Sequence, residues 1–243
     1  MPAEQRDYPA DLAEMVAWVE AHATPGQRVL DIGCGDGSMV ERLSERFDAV
    51  GVDPNATPAD HVVVAALEDY EAEPFDVVFA SVSLHHVRDL GRASAALRRL
   101  TRPGTVVLVR EFDRELVMDD ATLRWWYEQR QALPTPPGRH GDEREHDHSH
   151  DHSHAEQHGQ EQMPATYDGF RARLTAMFDE HVWPWTTVES LLDGAGFVAR
   201  SRQATPYLFR WDLPESVRPV EEALIGEGRI RAVGVRWHGH VPS

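Results

Sequence analysis

The sequence predicts an α/β fold in which a mostly parallel sheet is flanked by helices. Several short segments are almost continuously apolar, a pattern typical of parallel strands that are buried on both faces. These segments alternate with segments whose apolar residues recur at helical spacing, and such alternation favours right-handed crossover connections. The 243 residues suffice for one domain with its own core, so we expect residues 1–243 to form a single domain.

The first half of the chain contains five predicted strands and three predicted helices. The strands are residues 28–32, 49–52, 61–66, 75–80 and 105–109. The helices are residues 12–21, 38–46 and 90–100. Residues 102–104, Arg-Pro-Gly, predict a turn before the fifth strand.

After Glu111 the pattern changes to aromatic-rich helices and two further strands. The predicted helices are residues 119–131, 167–178, 187–195 and 217–225. The predicted strands are residues 197–203 and 233–237.

The charge balance limits the partners that the protein is expected to bind. Lys and Arg number 24 against 41 Asp and Glu, which gives a formal net charge of −17. Proteins that bind nucleic acids or anionic membranes carry a surplus of basic residues, which this chain lacks, so we expect neither as a partner. The N-terminus lacks the apolar run of a signal peptide, and one cysteine, Cys34, excludes an intramolecular disulfide. A cytoplasmic protein is therefore expected.

A glycine-rich loop follows the first predicted strand. It reads Gly33-Cys34-Gly35-Asp36-Gly37 and leads directly into the second helix. Glycine lets the backbone approach a ligand closely and adopt φ values that a Cβ disfavours. The dinucleotide fingerprint G-x-G-x-x-G would place its third glycine at position 38, where this chain has Ser38. The spacing therefore disfavours a nicotinamide-dependent oxidoreductase.

Two carboxylates end neighbouring predicted strands. Asp31 lies at the C-terminal end of the first strand, just before the loop, where it would oppose a pyrophosphate but suit a ligand with a positive amino group. Asp53 closes the second strand, at the place from which an acidic side chain binds ribose hydroxyls. Together they predict a site for an adenosine whose tail is cationic rather than phosphorylated.

With these motifs the chain resembles the class I S-adenosylmethionine-dependent methyltransferases that act on small molecules. The resemblance covers residues 12–111 well and the C-terminal third loosely. It is carried by Leu30-Asp31-Ile32-Gly33-Cys34-Gly35-Asp36-Gly37, Gly51-Val52-Asp53-Pro54, Phe75-Asp76-Val77-Val78, Leu84-His85-His86-Val87 and Arg102-Pro103-Gly104. It implies a Rossmann-like, doubly wound sheet of seven strands, an antiparallel last strand and a helical cap. Residues 12–111 would form the cofactor-binding core, and residues 163–243 the substrate cap and C-terminal strands.

The resemblance also implies which residues bind S-adenosylmethionine. Asp31 would serve its methionine end, Asp53 its ribose, and the residues after the fourth strand would lie under the methionine chain. Where the family commonly has an Asp, this chain has Ala66, so a backbone group, Glu68 or Asp69 would meet the adenine amino group. The implied cofactor contacts are Asp31, Gly33, Cys34, Gly35, Asp53, Pro54, Ala66, Leu67, Glu68, Ser81 and Leu84.

Two histidines are the candidate catalytic residues. Methyl transfer is an in-line displacement, so the enzyme aligns the acceptor and removes its proton when it has one. His85 and His86 follow the fourth strand, and imidazole accepts protons near neutral pH. Either is a base or a substrate anchor, with His85 favoured as the base, and a helix-capping or pocket-lining role is the alternative. Glu111 is expected either to contact the acceptor or to be exposed.

The C-terminal part is rich in aromatic residues, which predicts a pocket for an aromatic or hydrophobic small-molecule acceptor. The candidates are Trp125, Trp126, Tyr127, Phe178, Trp183, Trp185, Tyr207, Phe209 and Trp211. We expect a monomer or a homodimer.

Residues 139–162 form a His-rich insertion, and its stretch His140–His158 has no bulky apolar residue, which predicts disorder. Its alternating histidines, with neighbouring carboxylates, would bind a divalent transition metal. These are His146, His148, His150, His152 and His154. The tract is either a tolerated surface loop or a metal-ordered lid or metal store. The alternative function is accordingly a metal-handling or regulatory binding protein that retains the methyltransferase fold.

Overall fold

The computed structural model describes residues 9–133, 164–211 and 213–243. Its seven strands form one sheet in the order β3-β2-β1-β4-β5-β7-β6. The strands are β1 Arg28–Ile32, β2 Asp48–Asp53, β3 Val62–Val64, β4 Phe75–Ser81, β5 Thr101–Phe112, β6 Val198–Thr205 and β7 Gly234–His240. The helices are α1 Pro9–Glu20, α2 Ser38–Ser44, α3 Leu90–Arg99, α4 Arg114–Val117, α5 Asp120–Gln131, α6 Tyr167–His181, α7 Trp185–Gly194 and α8 Arg218–Gly226.

The pairing of the strands confirms the predicted doubly wound sheet. Strands β1 to β5 pair in parallel, and β7 runs antiparallel to both β5 and β6. The order reverses at β1, where β2 lies on one side and β4 on the other. Ligands of open α/β sheets bind at such a reversal, beyond the carboxyl ends of the strands.

Apolar side chains fill both faces of the central strands. Leu30 of β1 and Val78 of β4 belong to a core with α3 and α7, whereas Val29 and Phe79 belong to a core with α1 and α2. Burial on two faces explains why these strands read as unbroken apolar runs. The same expectation is wrong for β3, because its Val63 and Val64 are exposed at the edge of the sheet.

Local chemistry fixes where several helices begin. Four helices begin after an N-cap residue whose side chain accepts a hydrogen bond from a backbone N–H of the helix. These caps are Asp89 for α3, Asp113 for α4, Asp119 for α5 and Thr166 for α6. Such caps satisfy donors that a helix leaves unpaired in its first turn. The one-turn helix α4 was not predicted, since four residues carry no periodicity.

The predicted turn at residues 102–104 is a bulge inside β5. Thr101 of β5 pairs with Phe75 of β4, and Val106 of β5 pairs with Val77 of β4. Strand β5 therefore carries extra residues between these two pairs. Gly104 adopts a φ of +91° there, a value that glycine tolerates best. The turn-forming residues thus bend the strand without ending it.

A second hydrophobic core lies beyond Phe112, at the carboxyl end of β5, and forms the helical cap. It joins α4, α5 and α6 to the segment around Tyr207 and to α8. None of the described helices is long and apolar enough to cross a membrane. The His-rich insertion at residues 139–162, with His146, His148, His150, His152 and His154, lies outside the described residues.

Candidate functional site

The glycine loop joins the carboxyl end of β1 to α2 and requires left-handed backbone. Gly33, Gly35 and Gly37 have φ values of +74°, +54° and +81°, and Gly37 is the N-cap residue of α2. A side chain would strain all three positions. The loop therefore turns sharply at the end of β1, as the sequence predicted.

Two of these glycines meet different surroundings. A Cβ on Gly33 would lie 2.2 Å from the Cβ of Ser83, whose Oγ donates a 2.7 Å hydrogen bond to the carbonyl oxygen of Ile32. A Cβ on Gly35 would meet no atom within 4 Å. Gly33 thus packs the loop against the segment after β4, whereas Gly35 borders open space.

Asp31 lies at the end of β1 and is 4% exposed. No hydrogen bond joins its carboxylate to the described residues of the chain. Burial, and after it the charge of Asp53, raises the pKa of the Asp31 carboxyl to about 7. A buried carboxylate without a partner is costly, and a bound cation would relieve that cost.

Asp53, the last residue of β2, holds the glycine loop. Its Oδ2 accepts a hydrogen bond from the Gly35 N–H at 3.1 Å, and its Oδ1 accepts one from the Asn55 N–H at 2.7 Å. Pro54, between them, is exposed. The two carboxylates and the open space over Gly35 are therefore neighbours.

These features fit S-adenosylmethionine. Its amino group is a cation for Asp31, its ribose hydroxyls are donors for Asp53, and its body has room where Gly35 carries no Cβ. A diphosphate fits less well, because it would add charge beside two acidic side chains.

The residues after β3 have structural partners of their own. Leu67 is buried in the core and begins a short 3-10 turn, and Ala66 directly precedes that turn. Oε1 of Glu68 accepts hydrogen bonds from the N–H groups of residues 88 and 89, at 2.9 and 3.2 Å. Asp69 pairs with Arg92. Contact of these residues with an adenine stays a prediction.

Ser81, the last residue of β4, is linked to the N-terminal helix. Its Oγ accepts a 2.9 Å hydrogen bond from Nε of Arg110 on β5. The same guanidinium forms a 2.6 Å ion pair with Asp11 of α1, and Arg210 pairs with Asp11 as well. This network fixes α1 beside the carboxyl ends of β4 and β5.

The two histidines of the site differ sharply in exposure. His85 is 3% exposed, while His86 is exposed and its Nε2 lies 2.9 Å from Nε2 of His85. Nδ1 of His85 lies 2.6 Å from Oε2 of Glu111. Val82, three residues before His85, has a φ of +54°, and such backbone strain is typical of functional sites.

Of the two alternatives for Glu111, exposure is wrong, since its side chain is 1% exposed. Its Oε1 accepts hydrogen bonds from the N–H groups of Ser83 and Leu84 at 3.0 and 2.9 Å, while Oε2 faces His85. Sequence reasoning missed this role. The signal for it is a lone carboxylate at the carboxyl end of an otherwise apolar strand.

Aromatic rings of the cap continue from the histidine pair. The Phe112 ring lies 5.0 Å from the ring of His85, and it also contacts Tyr207 and Trp211, at 5.6 and 4.5 Å between centroids. Trp185, in contrast, is the first residue of α7 and is buried in the core that also contains α3. The predicted aromatic set is therefore divided between the cap and the core.

Trp183 is the most exposed of the predicted aromatic residues, at 40%. Its backbone N–H donates to the carbonyl oxygen of His85 at 3.0 Å, and its Nε1 donates to that of Val87 at 2.8 Å. The indole is therefore held beside the histidine pair.

Neither a reactive thiol nor a metal cluster is found in the described residues. Burial, followed by the charges of Asp31 and Asp53, raises the pKa of the Cys34 thiol to about 12, so the thiol stays protonated. No group of three or more His, Cys, Asp or Glu side chains in the described ranges is arranged to hold a metal ion. The metal predicted at the histidine tract stays a prediction.

Comparison with known proteins bears on this site. Residues 3–199 match the model of a family described as a methyltransferase domain. A ubiquinone biosynthesis O-methyltransferase of Hahella chejuensis is 37% identical over 102 residues, which cover 35% of this chain and 43% of that protein. The corresponding protein of Methylococcus capsulatus is 31% identical over 117 residues, 41% and 49% of the two chains. This chain thus spans about half the length of the curated relatives it matches.

Solved structures share the fold at low sequence identity. An S-adenosylmethionine-dependent methyltransferase of Mesorhizobium loti has a TM-score of 0.52 and 16% identity, covering 94% of this chain and 99% of its own. Phosphoethanolamine N-methyltransferase 2 of Haemonchus contortus has the same score and identity over 98% of this chain and 54% of its own. The family match, the order of the strands and the glycine loop agree, and this chain belongs to the methyltransferase domain family.

Proposed function

We propose that the protein transfers the methyl group of S-adenosylmethionine to a small-molecule acceptor. The observation that carries the proposal is the buried Asp31, which has no hydrogen-bond partner in the described part of the chain, beside Asp53 at the reversal of the strand order. The two carboxylates suit the amino group and the ribose of this cofactor, as the fit above indicates. When bound, the cofactor supplies a methyl group on a sulfonium, which leaves as a neutral thioether.

The chain's own residues provide binding, alignment and proton removal. Gly33, Cys34 and Gly35 form the loop under the cofactor, and Ser81 and Leu84 flank it from the end of β4. His86 is the exposed member of the histidine pair and takes the acceptor's proton. His85 is buried, with both ring nitrogens within hydrogen-bond distance of other side chains, and acts through His86.

The proposed acceptor is an aromatic or hydrophobic molecule. Trp183 and the rings around Phe112 lie next to the histidines and favour stacking with a planar acceptor. The relatives named as O-methyltransferases of ubiquinone biosynthesis favour an oxygen atom as the receiving group. The helical cap is the proposed binding region.

A methyl-transfer assay tests this proposal. The protein is incubated with S-adenosylmethionine labelled in its methyl group and with a panel of catechols, monophenols and ethanolamine phosphates. We expect labelled product from an aromatic acceptor that carries a hydroxyl group, and a loss of about 10²–10⁴ in kcat for His86→Ala, the range for removing a general base. Transfer that is equally fast in His86→Ala contradicts the role of His86, and no transfer to any acceptor contradicts the function.

Asp53→Ala is expected to weaken the binding of S-adenosylhomocysteine by about 1–3 kcal/mol, because a charged hydrogen-bond partner is lost. Isothermal titration calorimetry measures the change. Asp48→Ala is the matched control, since Asp48 lies at the opposite end of β2 and pairs with Arg28 at the surface. Equal affinities of Asp53→Ala and the wild type would show that the ribose is held elsewhere.

A further inference from the structure

The Glu111–His85–His86 contacts allow the position of each proton to be derived. Glu111 is buried, and its Oε1 already accepts two backbone N–H groups, so Oε2 is the oxygen that faces His85. At 2.6 Å, the contact between Oε2 and Nδ1 of His85 is a hydrogen bond to a carboxylate. The proton of a neutral His85 therefore lies on Nδ1.

The tautomer of the first ring sets the tautomer of the second. With its proton on Nδ1, His85 has an unprotonated Nε2, which accepts a hydrogen bond. The two Nε2 atoms are 2.9 Å apart, so the proton between them belongs to His86. A neutral His86 then carries its proton on Nε2, and its Nδ1 is the basic nitrogen.

From this order we propose that Glu111 is a positioning residue that makes His86 a directed base for a hydroxyl acceptor. The inference rests on the proposed function. The acceptor's O–H bond breaks, its electron pair stays on the oxygen that receives the methyl group, and its proton passes to Nδ1 of His86. The positive charge that arises is shared with His85, next to the Glu111 carboxylate.

The same carboxylate joins the base to the cofactor side of the site. Through the N–H groups of Ser83 and Leu84, Glu111 fixes the segment that packs on Gly33. A buried carboxylate at this point costs desolvation energy, which its three hydrogen-bond donors offset. The backbone N–H groups of Ser83 and Leu84 need only a hydrogen-bond acceptor, charged or neutral. The order of protons in the two histidine rings, in contrast, needs the negative charge of the Glu111 carboxylate.

Glu111→Gln separates these two roles. The Gln oxygen must accept from Ser83 and Leu84, because an amide N–H₂ placed there would face two other donors. The amide nitrogen then donates to Nδ1 of His85, which forces the His85 proton to Nε2 and the His86 proton to Nδ1. The variant keeps the fold and the cofactor site but reverses both tautomers, so His86 presents a donor where the base was.

Nitrogen-15 NMR of the histidine side chains reads the tautomers without any reaction. In the wild type at pH 8 we expect His85 protonated on Nδ1 and His86 on Nε2, with both reversed in Glu111→Gln. Resonances are assigned with His85→Gln and His86→Gln. Asp119→Asn is the matched control, because Oδ1 of Asp119 accepts both hydrogen bonds from Thr122 and the Asn oxygen can accept the same two. The opposite tautomers in the wild type would overturn the proposal.

Kinetics then test whether the order of protons is used. For an acceptor that the wild type methylates, Glu111→Gln is expected to lower kcat about 10²–10⁴-fold, while the Kd of S-adenosylhomocysteine changes less than about threefold. Reversed tautomers with an unchanged kcat would overturn the role in proton transfer. A wild type that methylates no acceptor contradicts the proposed function instead, and the spectra still decide the order of the protons.

Discussion

Asp31→Asn is expected to abolish the binding of S-adenosylhomocysteine and, at the same time, to stabilise the ligand-free protein at pH 8. The ionised carboxylate is buried without a partner in the described residues, so its charge opposes folding until a cation binds. Asn has nearly the same shape and no charge. A single substitution should therefore change ligand affinity and folding stability in opposite directions.

The pH dependence of this effect follows from the raised pKa. The Asp31 pKa is about 7 in the folded protein against 3.8 for an ordinary Asp. The folding stability that the protonated carboxyl contributes is therefore fully present below about pH 4. It is lost as the pH rises through 7. At about 1.4 kcal/mol per pKa unit, the stabilisation by Asp31→Asn approaches an upper value of about 4 kcal/mol at pH 8.

Urea denaturation of the wild type and of Asp31→Asn at pH 5 and pH 8 measures the difference between their free energies of unfolding, which should be larger at pH 8. Asp76→Asn is the matched control at the opposite end of the sheet. Burial raises the pKa of the Asp76 carboxyl, but hydrogen bonds from Arg102 and Arg28 outweigh it and lower that pKa. Asp76→Asn should therefore destabilise the protein and leave ligand affinity unchanged. A wild type more stable than Asp31→Asn at pH 8 would contradict the account.

Gly33→Ala is expected to be strongly destabilising. Its new Cβ would lie 2.2 Å from the Cβ of Ser83, at a φ of +74°. Backbone strain of about 1–3 kcal/mol and overpacking of about 1–3 kcal/mol together lower the free energy of unfolding by on the order of 2–6 kcal/mol. Urea denaturation measures the loss.

Gly35→Ala is the matched variant for Gly33→Ala. Its φ is +54°, but its Cβ meets no atom within 4 Å, so only strain of about 1–2 kcal/mol is expected. That Cβ would instead occupy the space proposed for the nucleoside, and S-adenosylhomocysteine should bind much more weakly. Equal destabilisation by the two variants would show that the Ser83 contact is unimportant.

The sequence was sufficient for the sheet and for the glycine loop because both depend on local patterns. Strands β1 and β4 are buried on both faces and so read as apolar runs, and positive φ values need glycine at 33, 35 and 37. The edge strand β3 was misjudged, because its valines are apolar but exposed. Apolar sequence alone does not distinguish a central strand from an edge strand.

The connections within the site were harder to predict because they join distant parts of the chain. Glu111 meets His85 only because β4 and β5 are neighbours, and Trp183 reaches residues 85–87 across nearly 100 positions. The exposures of His85 and His86, adjacent in sequence, differ because of these contacts. No periodicity in the sequence contains that information.

Calorimetric titration of the wild type with S-adenosylhomocysteine, and separately with NAD, tests the central claim most directly. The site formed by Asp31, the glycine loop and Asp53 is predicted to bind one molecule of the adenosyl amino acid per chain and to give no heat with NAD. Binding of NAD, or a folded protein that binds neither compound, would contradict the assignment of this cleft.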